Sequence, residues 1–269
     1  MYMIDTILEM KERNPIMVFI VLALTLPLMY YVVVLFHEWG HGMTSWILGY
    51  KSSPFDIHYG GWLVLHCDEA VPYDSILKAG HGIQAALIGI SGFTVNTVLF
   101  FLSLFLFTKR FVTRSLFMLC ILLWSCVLNM MAIFGYIPLD TFTKWGDIGR
   151  FVHGLNISPW LVFIPGSIMV AFCLYTLFRK VIIKFYVLAP IKTIRMRRIL
   201  LGVSLFFIFL FLYTRGYNPL SDIDSNTFNK ILAGLSILLF PLLMIICDSS
   251  RNWVEQAVRK YTEKYWKNN

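Results

Sequence analysis

The sequence predicts an all-α polytopic membrane protein with about six transmembrane helices, a short β-hairpin between the first two and a C-terminal amphipathic helix. Two observations carry this prediction. Hydrophobic residues make up 58% of the 269 positions, and the mean hydropathy of +0.70 implies more apolar surface than one water-soluble core would bury. In addition, the apolar residues are grouped into segments long enough to cross a bilayer.

The predicted spans fall at residues 15–36, 82–107, 115–137, 160–178, 199–213 and 231–247. The first is too long for the core of a signal peptide, so we expect it to remain as a membrane anchor. Most of the 23 lysines and arginines lie in the N-terminus, the second and fourth loops and the C-terminus. The positive-inside rule then places both termini in the cytoplasm, and we expect the plasma membrane of a prokaryote.

The segment between the first two spans has a different character. Aromatic and β-branched residues at 55–59 and 62–66 flank the turn dipeptide Gly60-Gly61, a pattern typical of a β-hairpin. Such a hairpin can pair with an unwound substrate strand, or it can be a capping loop with no substrate role. The sequence leaves both interpretations open.

The last stretch, residues 249–269, has the pattern of an interfacial amphipathic helix. Trp253, Ala257, Tyr261 and Tyr265 recur at intervals of four, with basic residues around them. The net charge of +8 does not indicate nucleic-acid binding, because the basic residues lie beside apolar segments and form no single groove. We expect contacts with anionic lipid instead.

The motif His37-Glu38-Trp39-Gly40-His41 lies at the end of the first apolar run. If the helix continues through it, His37 and His41 lie one turn apart on one face and can share a metal ion, with Glu38 beside them. Catalytic zinc usually takes a third protein ligand and leaves its fourth position to water. The residues alone leave several candidates for that ligand, namely Asp140, Asp147, His58, His66 and His81.

Three stretches resemble the site-2 protease family of intramembrane zinc metallopeptidases. Residues 36–41 with Leu48-Gly49 match the family's H-E-x-G-H helix and the glycine that closes it. Residues 91–96 are similar to its A-G-P-x-x-N motif, although Ser91 and Phe93 replace the alanine and the proline. Residues 129–149 stand in the place of the segment that supplies the aspartate ligand.

The resemblance implies one zinc ion held by His37, His41 and an aspartate, with Glu38 as general base and acid. Neither candidate aspartate is followed directly by glycine, as the family's is. Asp147 is preferred over Asp140 because Gly146 and Gly149 allow close backbone approach and because it opens a candidate helix. Asn96 corresponds to an asparagine on the substrate side of the family's cleft. The expected substrate is a membrane protein or a membrane-associated peptide.

On this resemblance, residues 1–157 form the metallopeptidase core, residues 158–248 three accessory spans and residues 249–269 the interfacial helix. Two other classes of function stay open. One is a catalytically inactive membrane scaffold with a structural metal site, and the other is a transporter. A structural zinc site would close its fourth position with a further cysteine or histidine.

Overall fold

The computed structural model describes residues 14–60, 67–189, 191–216 and 227–267, and these form helices joined by short turns and loops. In chain order the α-helices are α1 (Pro15–Ile47), α2 (Tyr73–Lys78), α3 (Gly82–Leu106), α4 (Arg110–Arg114), α5 (Leu116–Asp140), α6 (Gly146–Leu155), α7 (Trp160–Thr176), α8 (Ile183–Leu188), α9 (Ile194–Gly216), α10 (Thr227–Ile246) and α11 (Asn252–Thr262). π-helical segments lie at Leu177–Ile182 and Glu263–Lys267.

Four helical stretches in the described part of the chain are long and apolar enough to cross a membrane. They are α1, α3, α5 and the continuous stretch Trp160–Leu188, which joins α7 to α8 through the π-helical segment. The all-α membrane architecture is therefore confirmed at this level. The fifth and sixth predicted spans fall on the helices α9 and α10, and their crossing of the bilayer stays a prediction.

Helix α5 lies at the centre of the molecule. Almost all of its residues are buried, and α1, α3, α7, α9 and α10 all pack against it. Trp124 of α5 donates an indole hydrogen bond of 2.9 Å to the Leu22 carbonyl of α1. By contrast, α1 and α7 leave many long apolar side chains exposed. In a chain of this hydropathy those faces are the ones that meet lipid.

The first long helix continues through the histidine motif, as the sequence analysis required. Asn14 caps its start by accepting a hydrogen bond of 2.9 Å from the Ile16 amide, and Pro15 occupies the first turn. The helix ends at Ile47, and Gly49 follows with a φ of +81°. The Tyr50 amide then returns to the Ser45 carbonyl, so Gly49 closes the helix as predicted.

The predicted β-hairpin is not shown. Its second strand, residues 62–66, lies outside the described residues, and the described ones contain no strand. One isolated antiparallel bridge joins the backbones of His58 and Asp68 on either side of that gap. The C-terminal amphipathic helix is present as α11, and Trp253, Ala257, Tyr261 and Tyr265 all pack against the core.

Candidate metal centre

Three ligand atoms converge where α1, α3, α5 and α6 meet. His37 Nε2 and His41 Nε2 lie 3.2 Å apart, and Asp147 Oδ2 lies 3.0 Å from the first and 3.3 Å from the second. Atoms bonded to zinc at about 2.0–2.1 Å in a tetrahedron stand about 3.3 Å apart. All three residues are buried. The triangle therefore fits one small divalent cation.

Hydrogen bonds fix which nitrogen of each imidazole faces this point. His41 Nδ1 lies 2.7 Å from the Ile88 carbonyl, which can only accept, so Nδ1 carries the proton and Nε2 keeps its lone pair. His41 Nε2 is therefore oriented to bind a metal.

His37 is oriented through a chain of two amides. Asn129 Nδ2 donates to the Ser125 carbonyl, and Asn129 Oδ1 accepts from Asn96 Nδ2 at 2.8 Å. Asn96 Oδ1 therefore accepts from His37 Nδ1, at 2.5 Å. Because the chain starts at a backbone carbonyl, its polarity is set, and His37 Nε2 is left as an acceptor.

Asp147 reaches the histidines from the first turn of α6, as predicted. Among the described residues, its Oδ2 makes no hydrogen bond beyond its contacts with the two imidazoles. Burial by itself raises the pKa of this carboxyl, but when both imidazoles are protonated, positive charge on His41 and His37 outweighs burial and holds the pKa well below its usual range. A divalent cation would supply the same positive charge at this point.

Gly92 of α3 allows this close approach. A Cβ atom placed at Gly92 would stand 2.3 Å from His41 Nε2 and 2.8 Å from His37 Nε2. Any side chain there would occupy the space of the ligand nitrogens. The packing of the two histidines therefore explains why a glycine stands at position 92, in the stretch 91–96 that resembles the family motif.

The other candidate ligands lie elsewhere. Asp140 is buried against Gly146, where an added Cβ would stand 2.1 Å from its Oδ2, and it does not join the converging group. His81 Nδ1 contacts the Tyr50 hydroxyl at 2.6 Å, and His58 is exposed. His66 lies outside the described residues.

Glu38 lies beside the triangle and is itself half-buried. Its Oε2 is buried and accepts no hydrogen bond within the described part of the chain. Its carboxyl group lies close to that of Glu69, a residue that was not among the candidates from the sequence. Two carboxyl groups therefore adjoin one candidate metal centre.

Glu69 is held by contacts from two basic side chains. Arg150 Nη1 lies 3.1 Å from Glu69 Oε1, and its guanidinium stacks 3.6 Å from the centroid of the Tyr73 ring. Lys51 Nζ donates a hydrogen bond of 2.5 Å to the Glu69 carbonyl. Ala70 then takes a φ of +52°, which is uncommon for a residue with a side chain. Burial raises the pKa of Glu69, but His41 and Arg150 outweigh it, so the pKa lies below its ordinary value.

Tyr136 was also missed. Its ring stacks on His37 with centroids 5.4 Å apart and planes 2° apart, and its hydroxyl lies 3.0 Å from His37 Nε2. The sequence held a signal for it, because residues seven apart share a helix face and Asn129 precedes it by seven. For Glu69 the sequence offered no comparable signal, since a loop brings it to the site.

An apolar groove of about 690 Å³ runs along the outer face of α1 and α3 beside the centre. Trp39 and Gly40, which follow Glu38 in the chain, line it together with Ser91. The Ser91 hydroxyl also lies 3.3 Å from His41 Nδ1. The groove therefore adjoins the candidate metal centre.

Comparison with family models, with curated proteins and with solved structures finds no match for this chain.

Proposed function

We propose that this chain is a membrane-embedded zinc metallopeptidase that hydrolyses peptide bonds of membrane-associated or transmembrane substrates. The convergence of His37 Nε2, His41 Nε2 and Asp147 Oδ2 beside Glu38 is the observation that carries the proposal. Two imidazoles and one carboxylate are a ligand set of catalytic zinc. The resemblance to the site-2 protease family supports the same conclusion.

A zinc ion held by these three side chains would supply Lewis acidity, which polarises the scissile carbonyl and activates water. Glu38 is placed to take the proton of the attacking water and to return it to the leaving amine, because its Oε2 is buried and free of hydrogen bonds within the described residues. Tyr136 presents its hydroxyl to the same region and is suited to donate to the developing oxyanion.

Two further groups act through others in this proposal. Asn96 holds His37 in the orientation that a metal requires, because both ends of its amide are engaged with His37 and Asn129. Its predicted contact with substrate stays a prediction. Glu69, held by Arg150, positions the carboxyl group of Glu38.

The groove beside the centre supports a substrate that is itself apolar. Most of its lining residues are aliphatic or aromatic, and two of them, Met43 and Ile47, are exposed at the surface. One apolar substrate segment laid along α1 would bring its backbone near Glu38. In the orientation that the basic residues predict, this happens at the non-cytoplasmic side of a prokaryotic plasma membrane.

The test combines metal content with cleavage. The purified protein is reconstituted in vesicles with a set of tagged single-span peptides, and their cleavage is followed. Bound zinc is measured by elemental mass spectrometry. We expect bound zinc and cleavage for the unaltered chain, and for Glu38→Gln the same zinc with cleavage reduced about 10²- to 10⁴-fold. An unaltered chain without metal, or undiminished cleavage by Glu38→Gln, would refute the proposal.

A further inference from the structure

A second polar feature lies far along the chain from the metal centre. The end of α7, the π-helical segment Leu177–Ile182 and α11 enclose a cavity of about 540 Å³. Four cationic side chains line it, those of Arg179, Lys180, Lys260 and Lys264, and none of its lining residues is acidic. We call it the basic cavity.

None of the four cations of the basic cavity forms an ion pair in the described part of the chain. The ion pairs of that part of the chain involve other groups, at the metal centre, at Glu69 and at Asp248. Because like charges gathered in one cavity repel each other, the arrangement favours a bound anion.

Two aromatic rings contact one of the four cations, Arg179. The Arg179 guanidinium lies 4.5 Å from the ring centroid of Trp253 and 5.7 Å from that of Tyr175. A guanidinium stacked in this way keeps its N–H donors free for the planar, bidentate recognition of a phosphate. The donor is therefore already oriented before any ligand arrives.

The backbone is irregular at the same place. Arg179 and Lys180 lie within the π-helical segment that interrupts the long stretch from Trp160 to Leu188. Single π-helical turns inside α-helices occur frequently at functional sites. Here the wider turn carries both basic residues that the long helix contributes to the basic cavity.

An apolar track leads from the basic cavity along the span. Ile164, Ile168 and Phe172 recur at intervals of four on α7 and are 55%, 67% and 54% exposed, and Tyr175 follows them at the cavity rim. The acyl chain of a phospholipid can pack against these apolar side chains, whereas a soluble phosphate has no apolar part to place there. The cavity therefore adjoins both kinds of surface that a lipid needs.

We propose that the basic cavity binds the phosphate headgroup of an anionic phospholipid whose acyl chain lies along Ile164, Ile168 and Phe172. Basic pockets between helices at a membrane surface recognise headgroups of this chemistry. The bound lipid would join α7 to α11 and so hold the C-terminal helix against the membrane-spanning part.

Native mass spectrometry of the full chain tests the site, with phosphatidylglycerol and phosphatidylcholine as probes in matched detergent. We expect phosphatidylglycerol to be retained in preference. The double substitution Arg179→Gln with Lys260→Gln should weaken its binding about thirtyfold. The matched control, Lys192→Gln with Arg195→Gln, removes the same charge from exposed residues outside the cavity and should change binding little.

Two outcomes of this experiment would overturn the proposal. Equal weakening in the control pair would show general surface attraction, and equal retention of both lipids would show no headgroup site. A second arm titrates inorganic phosphate: displacement of the lipid supports a shared phosphate site, whereas phosphate binding without phosphatidylglycerol binding would assign the cavity to a soluble anion. If the double variant does not fold, loss of the lipid preference of the unaltered chain at high salt supports the proposal, and an unchanged preference refutes it.

Discussion

The metal centre and the basic cavity hold their charges in opposite ways. At the metal centre each ligand side chain is buried and oriented by its neighbours, and the ligand atoms lie 3.0 to 3.3 Å apart. At the basic cavity four cations share about 540 Å³ without a carboxylate among them. The first arrangement suits one small cation in a fixed geometry, and the second suits a larger anion that can adjust. Ligand atoms fixed at short distances from one another therefore distinguish the metal centre from the basic cavity, where neighbouring rings hold Arg179.

Removal of the carboxylate ligand should cause the largest change at either site, a loss of zinc affinity at the metal centre. Asp147→Ala leaves two imidazoles without a third ligand, so zinc affinity should fall by more than the about 100-fold that an outer hydrogen-bond partner costs. Asp140→Ala, which alters an equally buried aspartate outside the group, is the matched control. The zinc content of both purified variants shows which aspartate binds the metal. A greater loss of zinc in Asp140→Ala would identify Asp140 as the third ligand.

The second-largest effect on zinc binding is expected from a single carbon atom added at Gly92. The Cβ of Gly92→Ala would stand 2.3 Å from His41 Nε2, so the imidazole must shift and zinc should be lost or bound weakly. Gly202→Ala is the control, because the nearest atom to its added Cβ is a flexible methionine methyl at 3.9 Å. Zinc titration of the two variants compares them, and unchanged affinity for Gly92→Ala would contradict the described packing.

A smaller loss is expected from the partner behind His37. Asn96→Ala removes the acceptor of the imidazole proton, and outer-shell losses of this kind lower metal affinity about 10- to 100-fold. Competition with a chelator measures the change. If Asn96 contacts substrate instead, the variant should keep its zinc affinity and show a raised KM.

The smallest effect concerns the ion pair between Arg198 and Asp248. Two hydrogen bonds from Arg198 hold the pKa of Asp248 well below its usual range. A depressed carboxyl pKa stabilises the fold at neutral pH and loses that effect as pH falls below about 4. Asp248→Asn should thus lower the Tm slightly at pH 7, and the difference should shrink in acid. A difference that grows in acid would contradict this sign.

Local periodicity accounts for what the sequence could predict. The spacing of His37 and His41, the closing glycine and Asp147 at the start of a helix all follow from rules that act within one or two turns. Glu69 could not be found in this way, because its position depends on the clamp from Lys51 and the positive φ of Ala70. The π-helical turn was missed as well, because the predicted span ended at residue 178 and the residues of the turn carry no local signal that separates a π-helical from an α-helical turn.

The amide chain behind His37 has a consequence for how this protein can change over time. Its links lie on two helices, α3 and α5, and Ser125 also contacts Ser103 at 2.7 Å, so one seam of polar groups crosses an apolar interior. Replacing one link by an apolar residue strands its neighbours without partners. In an alignment of related sequences, positions 96 and 129 should therefore be exchanged together rather than singly.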